Sequence, residues 1–151
     1  HLGVVESAYL IDGIYVEAIA DGCHLPAELL RMIVKIKGDD RVCLVTDALR
    51  PGGADKNQEG RAFTGSAVPF VIEDGVAKLL DRSAFAGSIA TADRLLQTAV
   101  KADIGMASAV RMLTETPARV MGLAAKGRIA EGYDAQFTVF DDKLNVSDID
   151  I

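Results

Sequence analysis

Hydrophobic positions along this chain gather into short unbroken runs, with stretches of helical periodicity between them. The clearest run is Val42-Cys43-Leu44-Val45, which leads into Thr46-Asp47-Ala48 and then breaks at Arg50-Pro51-Gly52-Gly53. A run this short and continuous predicts a strand covered on both faces, as in a parallel sheet. Asp47 then stands at the strand's carboxyl end, where open α/β sheets and barrels carry ligand-binding and catalytic groups. The plainer role for such an aspartate is to open a turn.

One strand earlier the pattern repeats. Ile14-Tyr15-Val16-Glu17-Ala18-Ile19-Ala20 is rich in strand formers and ends in a polar cluster, Asp21-Gly22-Cys23-His24. Pro26 suits the first turn of a helix, where its missing N–H costs nothing. Leu29, Leu30, Ile33 and Ile36 share one helical face with Met32 at its edge, and Gly38 stops the helix. Residues 14–47 therefore read as one right-handed βαβ unit, with His24 and Asp47 emerging at the same sheet edge. The plainer role for His24 is a satisfied loop histidine.

Residues 49–68 show no periodicity, and an excursion of that length is usually a functional or disordered loop. Phe70 to Leu79 then gives two apolar arms around Asp74-Gly75, the strongest short hairpin signal, here an insertion or covering flap near 69–80. Ser83 to Ile89 resumes the alternation as a short strand. Its Ala86-Gly87-Ser88 offers close backbone approach and a hydroxyl, or equally a tight packing turn. Helices follow over about 91–101 and 106–113, and Thr116-Pro117 reads as an N-cap with proline at the first helical position of a third, which Gly122 ends. Gly127 to Gly132 and Gln136 to Phe140 have no helix between them and read as antiparallel strands of a small separate sheet. The first stretch, Gly3 to Tyr9, is ambiguous.

Composition narrows the class. Half of the 151 residues are hydrophobic and a quarter are charged, as expected of one domain with a substantial core. A net charge of −6 argues against a general nucleic-acid or anionic-membrane binder. With no spanning apolar run and no secretory leader pattern, a cytoplasmic protein is the default. Cys23 and Cys43 form no Cys-x-x-Cys pair, and read as reduced, packed thiols. His24 is the only histidine besides His1, so no close set of metal ligands can be assembled from this chain.

Taken in order, Ile19-Ala20-Asp21-Gly22-Cys23-His24, Leu44-Val45-Thr46-Asp47-Ala48, Ala86-Gly87-Ser88, Thr116-Pro117-Ala118-Arg119 with Gly122, and the Gly127 to Phe140 ribbon resemble the N-acetylglucosamine-6-phosphate deacetylases, a family of the amidohydrolase superfamily. The resemblance implies an α/β fold. Residues 1–122 would be the last three strand-helix units of a metal-dependent (β/α)₈ (TIM) barrel, incomplete in this chain, and residues 123–151 strands of a small β-sandwich. It implies a divalent metal of the zinc or iron class whose ligands lie upstream, so that this chain alone would be inactive. By position, Asp47 matches the catalytic aspartate, which takes a proton from the metal-activated water and passes it to the departing amine. His24 matches a substrate-binding histidine that contacts the sugar phosphate, and Ala86, Gly87 and Ser88 line the substrate. The partners implied are a small amino-sugar phosphate and further copies of the same protein in a homo-oligomer, with neither nucleic acid nor membrane.

Two departures stand out. His1-Leu2 stands where the family has an Arg-Glu-Pro run, so its phosphate-holding arginine is absent, and Ala135-Gln136 replaces a usual Ala-Asp. Other amidohydrolases, dihydroorotase-like or acting on cyclic amides, share the late aspartate and the Gly-rich ribbon, but account less well for Asp-Gly-x-His. A phosphoacceptor receiver domain would use Asp47 but lacks the acidic pair and the lysine it needs. A non-catalytic fragment that associates through an unclosed sheet is a further alternative.

Overall fold

The computed structural model describes residues 1–53 and 58–150, so the 54–57 part of the long excursion lies outside the described residues. The centre is the anticipated βαβ unit. Strand β1 (Val16–Ile19) lies parallel to β2 (Val42–Val45), with Val16 opposite Val42 and Ile19 opposite Val45. The connecting helix α2 (Ala27–Lys37) follows Pro26 as its N-cap and ends at Gly38, whose φ of 76° suits glycine. It buries Leu30 and Ile33, whereas Ile36 and Met32 remain about half exposed, so the buried stripe is narrower than the sequence pattern suggests.

Helix α1 (Val4–Leu10) forms over the ambiguous first stretch and buries none of its residues. It is fastened at its carboxyl end, where the buried Lys37 ammonium donates to the carbonyls of Ala8 and Ile11 at 2.9 and 2.8 Å. A cation there meets the negative end of the helix dipole.

The hairpin is present as read. Strands β4 (Phe70–Glu73) and β5 (Val76–Leu79) pair antiparallel around Asp74 and Gly75, whose φ values of 56° and 73° are those of the tight turns that match strand twist. It belongs to a larger unit than a two-stranded flap. Strand β3 (Ala62–Phe63) adds to one side and β6 (Phe85–Gly87) to the other, and Phe70, Ile72 and Ala77 bury against Leu49, Phe63, Ala86 and Ile89. Expected as a third parallel strand, the segment 85–89 serves two sheets instead. Its first half pairs antiparallel with β5, and its second meets the segment just beyond β2 through an isolated parallel bridge between Ala48 and Ser88. The hairpin lies immediately upstream, so the β5 edge is the nearest in sequence.

Helices α3 (Ala92–Lys101) and α4 (Met106–Leu113) place Leu95, Leu96, Ala99, Ala109 and Met112 against Ala18, Leu30, Val42 and Leu44 in the main core. Full burial of a side chain such as Leu95 contributes about 2 kcal/mol. Helix α5 (Glu115–Val120) starts earlier than Thr116-Pro117 suggests, with Thr114 as its N-cap. Proline is tolerated throughout a first helical turn, so it does not fix the starting residue. Thr116 is instead fully buried and donates to the Asp39 carbonyl at 2.8 Å, tying α5 to the loop before β2. Thr116→Val is expected to lower the unfolding stability of the intact protein by about 1–2 kcal/mol, read as a lower denaturant midpoint at unchanged slope.

The tail sheet is present with a different partner. Strand β7 (Phe137–Phe140) pairs antiparallel with β8 (Val146–Asp150), and residues 127–132 form bends and turns instead of a strand, with Gly127 and Gly132 at φ 86° and 82°.

Candidate functional site

In register, Asp21 lies two residues beyond Ile19 and Asp47 two beyond Val45, so the two polar clusters leave adjacent parallel strands at equivalent steps. The His24 side is closely built. Asp21 is 1% exposed, and its Oδ1 accepts the backbone N–H groups of Cys23 and His24, each at 2.9 Å. Its Oδ2 lies 2.9 Å from His24 Nδ1. Burial pushes the Asp21 carboxyl up, but the amides of His24 and Cys23 together with the His24 ring outweigh it and hold the group below its ordinary value. An ionised carboxylate only accepts, so His24 Nδ1 carries the shared proton.

Elements distant in sequence complete this side. The Phe85 ring on β6 lies 4.9 Å from the His24 ring, tilted by 59°. Arg94 on α3 donates from Nε to the Asp21 carbonyl at 2.9 Å, and its Nη2 lies 3.8 Å from Cys23 Sγ. Burial and the Asp21 carboxylate push the Cys23 thiol up despite that guanidinium, so it stays protonated. The hairpin turn reaches the same loop, with the Asp74 carbonyl 4.0 Å from Cys23 Sγ. Glu59 accepts the Asp74 amide at 2.8 Å, which ties the excursion after β2 to that turn.

Asp47 is exposed and adopts φ 47°, a left-handed conformation that aspartate tolerates better than most residues. Its carbonyl accepts the Ser88 amide at 3.0 Å, and the Leu49 amide donates to the Ser88 carbonyl at 2.9 Å. This pair of bonds props the strained residue from the neighbouring chain. Among the described residues no hydrogen bond or ion pair engages the Asp47 carboxylate, and none joins it to His24.

The three small residues contribute mainly through position. Ala86 packs against the hairpin core. Gly87 is buried at φ 137° beside Leu49 and the Asp47 carbonyl. Ser88 is fully buried and its hydroxyl accepts the Ala90 amide at 2.9 Å, so its part in the site is the backbone support of Asp47. A cavity of about 410 Å³ opens nearby along the excursion, between Arg50, Pro51, Gln58, Arg61 and Phe63.

Sequence reasoning missed Asp21 as the partner of His24, although the Asp-Gly-x-His spacing carries the signal, since Asp side chains accept amides two and three residues on. Nothing in the sequence marks Phe85 or Arg94. Among the described residues no three His, Cys, Asp or Glu side chains gather as a metal would need, so these residues alone do not fit the implied metal. No helix among them is long and apolar enough to cross a membrane.

Comparison with known proteins relates the chain as a whole to sugar-phosphate deacetylases. N-acetylglucosamine-6-phosphate deacetylase of Lysinibacillus sphaericus is 32% identical over 143 residues, covering 94% of this chain and 36% of that protein. N-acetylgalactosamine-6-phosphate deacetylase of a Shewanella species is 31% identical over 145 residues, or 95% of this chain and 36% of that protein. A dihydroorotase of Methanothermobacter thermautotrophicus is 55% identical over 49 residues, 32% of this chain and 11% of that protein. The crystal structure of N-acetylglucosamine-6-phosphate deacetylase from Pasteurella multocida superposes with a TM-score of 0.89 at 29% identity, over 99% of this chain and 38% of that one. The chain thus spans a little over a third of the length of the deacetylases it matches. Residues 1–150 match the Amidohydrolase family, and the chain belongs to it.

Proposed function

We propose that the intact protein carrying this chain hydrolyses the acetamide of an N-acetylhexosamine 6-phosphate, N-acetylglucosamine 6-phosphate first, to acetate and the amino-sugar 6-phosphate. The observation that carries the reading is the pairing of Asp-Gly-x-His and Thr-Asp at equivalent steps beyond two parallel strands in register. Residues 1–122 are then the closing part of an amidohydrolase barrel with the hairpin as an insertion, and 123–151 belong to a small sandwich. The Asp47 carboxylate takes a proton from the attacking water and delivers it to the departing nitrogen. His24 donates to the sugar phosphate from the ring atom that Asp21 leaves free, and the Ala86-Gly87-Ser88 segment lines the site beside Asp47. The family is generally metal-dependent, and the ligands of a zinc- or iron-class ion would come from residues outside this chain.

The test is acetate release from N-acetylglucosamine 6-phosphate by the intact protein, with and without a chelator, alongside the galacto epimer. No acetate from either sugar in metal-replete protein would sink the reading. His24→Gln is expected to raise KM about tenfold with kcat changed only a few-fold, since it removes binding and not chemistry. A wild-type KM would remove His24 from the phosphate. The dihydroorotase segment favours a second reading, a cyclic-amide hydrolase, which the same preparation tests with dihydroorotate as substrate.

A further inference from the structure

We propose that Asp21 is a positioning residue that holds the His24 ring with its proton on Nδ1, so that an anion meeting the free Nε2 is bound by a doubly protonated ring and its binding takes up a proton. This rests on the reading of His24 as the phosphate contact and adds to it the state in which that contact is made.

The geometry leaves the ring little choice. Asp21 Oδ1 is occupied by two backbone amides and Oδ2 faces Nδ1, so the carboxylate cannot turn without giving up three hydrogen bonds. Phe85 restricts the ring from the side of β6. Among the described residues nothing hydrogen-bonds Nε2, which leaves that ring atom for a ligand. In the neutral ring Nε2 carries a lone pair and repels a phosphate oxygen. Only the imidazolium offers an N–H there while keeping the bond to Asp21.

The charged and titratable groups around the ring come from several elements. Asp21 and Cys23 share its loop, and Arg94 reaches from α3 to the Asp21 carbonyl and the Cys23 sulfur. Asp74 stands at the hairpin turn with Lys78 paired to its carboxylate, Phe85 adds no charge, and among the described residues Asp47 makes no hydrogen bond or ion pair with the ring. The carboxylate of Asp21 is the charged group in direct contact with the ring, 2.9 Å from Nδ1.

Asp21→Asn separates the roles. Its oxygen can keep the two amides, which leaves its NH₂ to donate to a bare Nδ1 and moves the ring proton to Nε2. The neutral ring then donates to phosphate with no proton taken up. The experiment uses the intact protein with ¹⁵N-labelled histidine at pH 8 and N-acetylglucosamine 6-phosphate, on an Asp47→Asn background to prevent turnover. His24→Gln assigns the ring signals. The free ring is expected as the Nδ1–H tautomer and the bound ring as imidazolium. Calorimetry in buffers of different ionisation heat should then register about one proton taken up per ligand. With Asp21→Asn the uptake disappears, the pH dependence of Kd weakens, and affinity at pH 7 falls roughly tenfold, as expected when a charged donor becomes neutral.

A free Nε2–H tautomer, or proton uptake unchanged by Asp21→Asn, overturns the inference. A ring that shifts on binding yet stays neutral overturns it while leaving the phosphate contact intact. Ligand binding that does not move the His24 signals removes the contact and the proton coupling together. If Asp21→Asn does not fold, the proton count of the Asp47→Asn protein with and without His24→Gln decides, and equal counts overturn the inference.

Discussion

Asp47→Asn in the intact protein is expected to lower kcat for acetate release by about a thousandfold or more, with KM within a few-fold of wild type. Asparagine is the informative replacement because it has nearly the same shape and also tolerates the left-handed backbone found here at φ 47°. The Ser88 amide should still find the residue 47 carbonyl, and Leu49 should still find Ser88. What is lost is the capacity to hold a proton between the attacking water and the leaving nitrogen. Alanine would confound the result, since it adds backbone strain to the chemical loss. The assay is steady-state acetate release, with the thermal midpoint as control. Wild-type turnover by a folded Asp47→Asn protein would refute the role assigned to this carboxylate.

Gly87→Ala is expected to lower kcat by about tenfold to a hundredfold and to reduce stability, although residue 87 has no chemistry of its own. Its φ of 137° is one that side-chain-bearing residues rarely adopt. An added Cβ would lie 3.0 Å from Leu49 Cγ and 3.2 Å from the Asp47 carbonyl oxygen. Backbone yields less readily than a side chain, so the strain is delivered to the prop under Asp47, and displacements of about an ångström at a reacting group cost rates of this order. Thermal unfolding and kcat should fall together, with KM less affected. A protein that loses stability at unchanged kcat would show that Leu49 absorbs the strain alone.

The features legible in the sequence are those written in local pattern. Val42 to Val45 is a covered strand because nothing polar interrupts it, and Asp74-Gly75 is a hairpin because both residues accept positive φ. The βαβ order brought His24 and Asp47 to one edge without any distance being known. Contacts between remote segments were not legible. Phe85 over the His24 ring and Arg94 under the Asp21 carbonyl depend on how β6 and α3 pack, which no spacing encodes. Strand β8 escaped because Val146-Ser147-Asp148-Ile149-Asp150 has too weak an alternation to stand out without its partner. Residues 127–132 misled in the other direction, since a Gly-flanked ribbon suits bends as readily as a strand. Ser88 offered a hydroxyl in sequence, whereas in the fold that hydroxyl is fully buried and accepts the Ala90 amide.

The segment from Phe85 to Ala90 is the corner at which the antiparallel and parallel sheets meet. A corner of this kind sets where the gene can change length. Residues 80–83 carry the chain around the outside between Leu79 and Ala84, which hydrogen-bond to each other, and are exposed, so residues gained or lost there alter the reach of a loop. One residue gained between Phe85 and Ser88 would turn every later side chain of the strand to the opposite face, because the strand repeat is two. The amide that supports Asp47 would then come from a different residue, and the aromatic ring over His24 would lose its fixed relation to it. Length variation among relatives should therefore collect before Phe85 and stop there, marking the site's boundary by an absence of insertions.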